Sequence, residues 1–249
     1  MRLNKVKRVL SSGRPVVGAA ACLCSPLSAE LMALAGLDYV LVDDQHGIWE
    51  PAALMAAFRG IWAAGAVPMA RVGKNDYYAI GAMLDRGALG IIAPMVNSAA
   101  EAEAAVFAAR YPPLGGRSIG AYGCHIYGPE YVALANDEVF LAVQIETRQA
   151  LDRAEEILAV EGVDGCWVGP MDLARSMGLD LTSQEDVQVH REAILRVLAA
   201  CHATGKTPGL WCDPEELTFW RDHGFLFLTP AADRVYVDRM TRMILRGFR

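Results

Sequence analysis

The stretches V-Q-I-E-T at 143–147 and V-G-P-M-D at 168–172 decide how the rest of the chain is interpreted. Each closes a short apolar run typical of a buried strand, and each then presents one carboxylate, Glu146 or Asp172. A helix-length segment at 148–160 separates the two runs, as in a β-α-β unit. The two strands therefore end on one face, where paired carboxylates form a hard-oxygen site for a divalent cation.

Apolar runs of this kind recur along the chain and alternate with alanine-rich helical segments. Eight runs favour strands, at 16–23, 39–42, 67–72, 90–93, 140–145, 166–168, 208–211 and 225–228. Amphipathic segments between them favour helices, for example at 28–35, 51–64, 77–86, 99–109 and 187–203. Eightfold β-α alternation in 249 residues, without a linker, predicts an α/β fold. We expect a (β/α)₈ TIM barrel, with residues 1–249 forming a single domain.

Composition narrows the class of protein. A hydrophobic fraction of 53% supplies a large core, and a net charge of −6 argues against a nucleic-acid surface. No run approaches the roughly 18 apolar residues of a membrane span, and no terminal stretch resembles a signal peptide. The six cysteines include no C-x-x-C pair, which argues against structural zinc and a disulfide framework. We therefore predict a cytoplasmic protein without nucleic-acid or membrane partners.

In a parallel barrel, catalytic groups lie where the strands end and the βα loops begin. This rule selects Asp43, Asp44, Gln45, His46, Arg71, Gln144, Glu146 and Asp172. His46 is favoured for proton transfer because imidazole titrates near neutral pH, and Arg71 is favoured as a donor to a developing oxyanion. The connection at 111–123, rich in glycine and proline, predicts a lid or a wall of the site.

Each assignment has a plainer alternative. Glu146 and Asp172 could simply cap the helices that follow them. His46 could be a surface-loop histidine, and Arg71 could be a counter-charge for the carboxylates. Lys74 could form a Schiff base, although its place three residues beyond Arg71 puts it in a loop. The loops after the seventh and eighth strands contain no glycine, which argues against a phosphorylated substrate.

Short motifs spread over the chain carry a resemblance to a known family. They are S-A-E-L at 28–31, A-P-M-V at 93–96, R-Y-P-P at 110–113, V-Q-I-E-T at 143–147, E-G-V-D-G at 161–165 and G-P-M-D-L at 169–173. With them the chain resembles the HpcH/HpaI aldolase family, the metal-dependent class II pyruvate aldolases such as 4-hydroxy-2-oxoheptanedioate and 2-dehydro-3-deoxyglucarate aldolase. The resemblance implies a (β/α)₈ barrel that reversibly cleaves 4-hydroxy-2-oxo acids to an aldehyde and pyruvate, or a close 2-oxo acid such as hydroxypyruvate.

The resemblance also implies the roles of individual residues. Glu146 and Asp172 would bind Mg²⁺, with Mn²⁺, Co²⁺ or Zn²⁺ as alternatives. The substrate would be held by Arg71, Gln144, Met171 and Asp172. Arg71 would also stabilise the enolate, and His46, aided by Asp85, would move protons. Asp85 falls late in a helix that runs away from the active face, so it would reach His46 through irregular packing or from a neighbouring subunit.

Assembly and specificity follow from the same resemblance. Family members commonly form hexamers (trimers of dimers), which implies a homo-oligomer with the C-terminal helix at 233–245 exchanged between subunits. The chain departs from the usual pattern in three places: it has Asp43-Asp44-Gln45-His46 where many members carry D-G-E-H, and Ala20 and Met171 replace a common tryptophan and alanine. The first bears on metal preference and the other two on the aldehyde.

Other functions of the same scaffold stay open. Another metal–enolate lyase is possible, such as an oxaloacetate decarboxylase or an acyl-CoA lyase. For a CoA site only Arg110 and Arg117 hint at the basic groove that the phosphates require. A non-catalytic barrel that binds a 2-oxo acid is the alternative from outside the enzymes.

Overall fold

In the computed structural model, which describes residues 3–120 and 122–248, parallel strands β1 to β8 close into a barrel. Each strand pairs with its neighbours in sequence, and β8 pairs with β1. The strands are Val16–Ala21, Tyr39–Asp43, Val67–Arg71, Gly90–Ala93, Phe140–Ile145, Gly165–Val168, Gly209–Trp211 and Phe227–Thr229. The predicted TIM-barrel fold is confirmed.

Helices cover the outside of the barrel. In chain order, α1 to α12 are Lys5–Ser11, Pro26–Leu34, Pro51–Ala63, Tyr77–Arg86, Ala99–Ala109, Tyr131–Glu138, Arg148–Asp152, Ala154–Leu158, Pro170–Met177, Gln184–Thr204, Leu217–His223 and Asp233–Phe248. Short 3₁₀ helices span Tyr122–Tyr127 and Pro214–Glu216. Side-chain oxygens cap the first turns of several helices, as at Asp76, Ser98 and Thr147. The predicted helix at 148–160 is divided at Arg153, whose non-helical backbone (φ −117°, ψ 16°) separates α7 from α8.

Alternate strand residues fill the barrel interior. The rings of Tyr39 and Phe140 pack against Phe227, with centroids 4.5 and 5.3 Å away. Gly18 makes this packing possible, because a Cβ there would collide with the Tyr39 ring. The interior is thus a packed core rather than a pore, and a ligand can enter only at an end.

The amino-terminal end of the barrel is closed by α1. The buried Asn4 caps that helix by accepting a hydrogen bond from the amide of Lys7. Its Nδ2 donates to the carbonyl oxygens of Leu89 and Glu138, which precede β4 and β5. The open mouth therefore lies at the carboxyl ends of the strands.

The glycine-rich connection at 111–123 does not lie at the mouth. It follows α5, so it begins at the closed end, where Arg110 pairs with Asp164 at 2.8 Å. It then crosses the outer surface of the neighbouring helices, where the amide of Gly116 donates to α5 and its carbonyl accepts from the Tyr77 hydroxyl. Residue 121 lies outside the described residues. For the rest of the connection, the prediction of a lid or a wall of the site is wrong, because α5 separates the connection from the end of β4 at the mouth.

Candidate active site

Glu146 follows β5 at the mouth and is only 2% exposed. Its two oxygens accept hydrogen bonds from the Met95 amide at 2.8 Å and from Gln144 Nε2 at 2.5 Å. Burial raises the pKa of Glu146 to about 7, and the nearby Asp172 carboxylate adds to the rise. In the metal-free protein a proton therefore competes for Glu146 below about pH 7, and a bound cation would offset the cost of burying this charge.

The turn between β6 and α9 brings Asp172 beside Glu146. Asp172 lies exposed in the first turn of α9, close enough for the two carboxyl groups to interact. Gly169 permits the approach, because a Cβ there would lie 2.7 Å from Gln144 Nε2 and 2.8 Å from Glu146 Oε2. The chain thus places one buried and one exposed carboxylate at the same point of the mouth.

The pair suits a hard divalent cation with open coordination positions. No cluster of three or more metal-binding side chains (His, Cys, Asp or Glu) occurs in the described part of the chain. Two carboxylates alone leave positions that substrate and water oxygens would fill. Beside the pair, Gln144 Oε1 is buried without a hydrogen-bond partner in the described residues, which indicates that this site is completed by a group outside the polypeptide. These residues fit the cation that the sequence predicts.

Arg71 is held rigidly by Asp43. The two are register partners at the ends of β3 and β2 and form two hydrogen bonds, at 2.9 and 2.6 Å. Asp43 also accepts hydrogen bonds from the amides of Gln45 and His46, which shapes the turn after β2. The Arg71 guanidinium lies over the Trp167 ring, 5.2 Å from the ring centroid, in a cation–π contact. Asp43, rather than the carboxylate pair, is therefore the direct counter-charge of Arg71.

The folded chain does not bring His46 and Asp85 into contact. His46 has an exposed side chain in the turn after β2. Asp85 lies on α4, and its carboxylate accepts a hydrogen bond from Arg117 at 2.9 Å. No hydrogen bond joins Asp85 to His46 within the described residues, so the predicted contact through irregular packing of one chain is not formed. A neighbouring subunit is the route that stays open.

Two further candidates lie at the edge of the site. Met171, at the start of α9, is 66% exposed and can face an incoming substrate. Lys74 is exposed in the loop after β3. A lysine activated for Schiff-base chemistry is normally desolvated or placed beside another cation, which argues against that role for Lys74.

The floor of the site is a polar network that sequence analysis missed. Trp167 donates its indole N–H to Thr229 Oγ1 at 2.9 Å. The Thr229 hydroxyl lies 2.7 Å from the Tyr39 hydroxyl, which donates to the carbonyl oxygen of Leu228. All these groups are buried and paired, so the ring beneath Arg71 has a fixed orientation. Strand alternation places such residues inside a barrel, but it does not reveal which hydroxyl meets which ring.

Ala20 and Trp211 lie on β1 and β7, the two strands that flank β8. Ala20 is buried beside Cys22 and Ala232, and Trp211 packs against this cluster. The Trp211 ring also meets Trp167 edge to face, with centroids 6.1 Å apart. Trp211 thus faces the barrel interior next to the small Ala20.

Comparison with known proteins places this geometry in a family. The sequence model of the HpcH/HpaI aldolase/citrate lyase family matches residues 21–235. The chain belongs to this family. A hydroxypyruvate/pyruvate aldolase of Roseovarius nubinhibens is 36% identical, and the alignment covers 99% of this chain and 97% of that protein.

Two further proteins are similar to this chain over nearly their whole length. A 4-hydroxy-2-oxo-heptane-1,7-dioate aldolase of Klebsiella pneumoniae is 37% identical over 98% of this chain and 94% of its own. The crystal structure of an HpcH/HpaI aldolase from Desulfitobacterium hafniense has a TM-score of 0.89 at 30% identity, covering 97% of this chain and 95% of that one. The predicted family and the predicted enzyme class, a carbon–carbon lyase, are confirmed.

Proposed function

We propose that this HpcH/HpaI protein is a metal-dependent class II aldolase. It cleaves 4-hydroxy-2-oxo acids reversibly to an aldehyde and to pyruvate or hydroxypyruvate. The observation that carries the proposal is the buried Glu146 beside Asp172 at the barrel mouth, next to an arginine held in a fixed orientation. The activities named for the two aldolase relatives support the same reaction.

Glu146 and Asp172 would hold the cation, for which Mg²⁺ suits the oxygen ligands and Mn²⁺, Co²⁺ or Zn²⁺ are alternatives. When bound, the cation supplies Lewis-acid polarisation of the 2-oxo group and so stabilises an enolate without a lysine. Gly169 at the start of α9 provides no side-chain cap. No side chain among the described residues binds the amides of Met171 and Asp172, so these amides can donate to the substrate carboxylate at the positive end of the helix.

Arg71 would stabilise developing negative charge, and His46 would transfer protons. Asp43 holds Arg71 through Nε and Nη2, which leaves the other N–H groups of the guanidinium to donate to an oxyanion that develops beside Glu146. His46 lies in the turn that Asp43 shapes, where its exposed ring can take and return a proton. Asp85 can assist His46 only when a neighbouring subunit brings it to the mouth.

An acyl-CoA lyase is less well supported. Arg110 and Arg117, the two residues that hinted at a phosphate groove, are each 3% exposed. Arg110 pairs with Asp164 and Arg117 with Asp85. Since both guanidinium groups are buried and paired, neither is available to bind the phosphates of CoA.

The metal proposal is tested by cleavage of a 4-hydroxy-2-oxo acid. Chelation should abolish pyruvate release, and adding Mg²⁺, Mn²⁺ or Co²⁺ should restore it. Glu146→Gln and Asp172→Asn should lose activity in the presence of metal while keeping the circular dichroism spectrum of a folded barrel. Full activity after chelation, with metal content measured as negligible, would sink the proposal.

We further propose that the protein is a homo-oligomer, a hexamer of the trimer-of-dimers type, with α12 exchanged between subunits. Large apolar side chains on α12 are exposed in the single chain: Val237, Met240, Met243, Ile244 and Phe248. A stripe on α2 is exposed as well, formed by Leu27, Leu31 and Leu34. Contiguous apolar surface of this kind is typical of a face that another protein covers, and a second copy of the chain would cover both.

Light scattering after size-exclusion chromatography tests the assembly. The protein should elute far above the 26.9 kDa of one chain. The double substitution Met240→Lys/Ile244→Lys should shift it to smaller species, whereas Arg246→Ala on the same helix should not. A monomeric mass for the unaltered protein at micromolar concentration would refute the assembly.

A further inference from the structure

The first turn of α9 carries Asp172 but has little to hold it in place. Its first residue after Gly169 is Pro170, and no side chain caps the turn. The Gly169 amide donates to the carbonyl of Ile145 at 3.2 Å, which ties the turn to β5. On the side that faces α10 and the end of β7, a cavity of about 310 Å³ adjoins Pro170 and Met171. The start of α9 is therefore not fixed by close packing on that side.

His190 of α10 reaches this turn across the cavity. Its Nε2 lies 2.8 Å from the carbonyl oxygen of Pro170. No other side chain in the described residues forms a hydrogen bond with a backbone group of the first α9 turn. A carbonyl oxygen can only accept, so the imidazole must carry its proton on Nε2 and donate it.

The surroundings keep His190 neutral at physiological pH. Burial lowers the pKa of His190, against smaller opposing effects from the Pro170 carbonyl and the Glu216 carboxylate. Glu216 is itself paired with Arg191, at 3.1 Å. His190 is thus a neutral donor whose one hydrogen-bond partner among the described residues is the Pro170 carbonyl, which suits a residue that fixes geometry rather than one that exchanges protons.

We propose that His190 is a positioning residue: through the Pro170 carbonyl it sets the start of α9 so that Asp172 meets Glu146 at the spacing a divalent cation requires. This inference rests on the proposed metal site. It predicts that His190 acts on cation affinity without touching cation or substrate. Removing a residue that orients a metal ligand without contacting the metal typically weakens the affinity for the metal about 10- to 100-fold.

The test is Mn²⁺ binding by isothermal titration calorimetry on the full-length protein without substrate. His190→Leu removes the donor at similar volume, and its Kd for Mn²⁺ should rise about tenfold. His190→Gln retains an N–H donor near the Nε2 position and should recover most of the affinity. His202→Leu, at an exposed histidine on the same helix, is the matched control and should bind Mn²⁺ like the unaltered protein.

Thermal unfolding separates this effect from damage to the fold. The metal-free His190→Leu protein should lose only a few degrees of Tm, because about one net hydrogen bond is removed. Unchanged Mn²⁺ affinity in His190→Leu, or no recovery in His190→Gln, would overturn the inference. If His190→Leu binds Mn²⁺ normally, Asp172→Asn shows which proposal fails. Normal Mn²⁺ binding by Asp172→Asn as well would mean that the proposed metal site is wrong. Weakened binding by Asp172→Asn would mean that only the proposed role of His190 is wrong.

Discussion

Arg71 carries a full charge yet is only 7% exposed at the mouth of the barrel. Three neighbours fix it: Asp43 by two hydrogen bonds, Trp167 by its ring, and Thr229 indirectly by holding that ring. Such a rigid donor requires no reorganisation when charge develops on a substrate oxygen, which is the condition for large electrostatic catalysis.

Replacement of Arg71 should therefore lower the rate of cleavage strongly, while the barrel stays folded. We expect Arg71→Ala to lower kcat for cleavage by roughly 10²–10³, the usual loss for one oxyanion donor. Arg71→Lys should recover only part, because an ammonium group cannot make the two-pronged contact with Asp43. Steady-state kinetics at saturating metal measures both variants.

The matched control is Arg148→Ala. Arg148 is exposed and donates to the Met177 carbonyl, away from Asp43. It should keep near-normal kcat. A near-normal kcat in Arg71→Ala as well would reduce Arg71 to a structural counter-charge.

Single residues were predictable where the backbone alone determines their place. Glu146 directly follows the buried strand β5 and Arg71 ends the buried strand β3, so their position at the mouth follows from the apolar runs before them. Asp85 was harder, because its helix carries it toward Arg117, and a contact between subunits leaves no trace in the spacing of one chain. The donor His190 lies 20 residues from Pro170, and nothing in the sequence pattern links them.

At the scale of elements, apolar runs predicted the strands well because parallel barrel strands are buried on both faces. The bounds of β4, β5, α4 and α5 agree with the predicted ones. The prediction for the connection at 111–123 was wrong because α5 returns the chain to the closed end of the barrel before this connection begins. A segment rich in glycine and proline indicates irregular structure but does not indicate which end of a barrel it occupies.

The layer formed by β1 and β7 should govern the choice of aldehyde. Trp211 packs against the cluster of Ala20, Cys22 and Ala232 and faces the interior. We expect Trp211→Ala to broaden the range of aldehydes accepted in aldol addition, because it opens space beside the mouth. Ala20→Trp should narrow that range, and pyruvate methyl exchange should change little in this variant, because Ala20 lies on β1, away from β5 and β6, which precede Glu146 and Asp172.

The double variant Ala20→Trp/Trp211→Ala is the matched control, because it moves the indole to the other strand with nearly constant volume. It should be better folded than Ala20→Trp alone and have an aldehyde preference different from the unaltered enzyme. A sharp fall in Tm for Trp211→Ala with unchanged aldehyde preference would instead assign Trp211 to the core.

At the scale of the whole molecule, eightfold alternation and chain length were enough to predict a closed barrel, because few other parallel folds use eight strands in this length. The predicted homo-oligomer and the cytoplasmic location stay predictions. Among the residues described, no helix combines the length and apolar character that crossing a membrane requires. How copies of the chain meet depends on surfaces such as the apolar face of α12, which hydrophobic periodicity alone cannot assign to a partner.

The central claim is that Glu146 and Asp172 hold a cation that makes pyruvate enolisable. Deuterium incorporation into the pyruvate methyl group, followed by NMR, tests it most directly because no aldehyde is needed. The Mg²⁺-loaded protein should exchange the methyl protons, and the chelated protein and metal-loaded Glu146→Gln should not. At limiting Mg²⁺ the rate should fall as pH drops through about 7, where a proton competes for Glu146. Exchange that continues undiminished after complete metal removal would contradict the account.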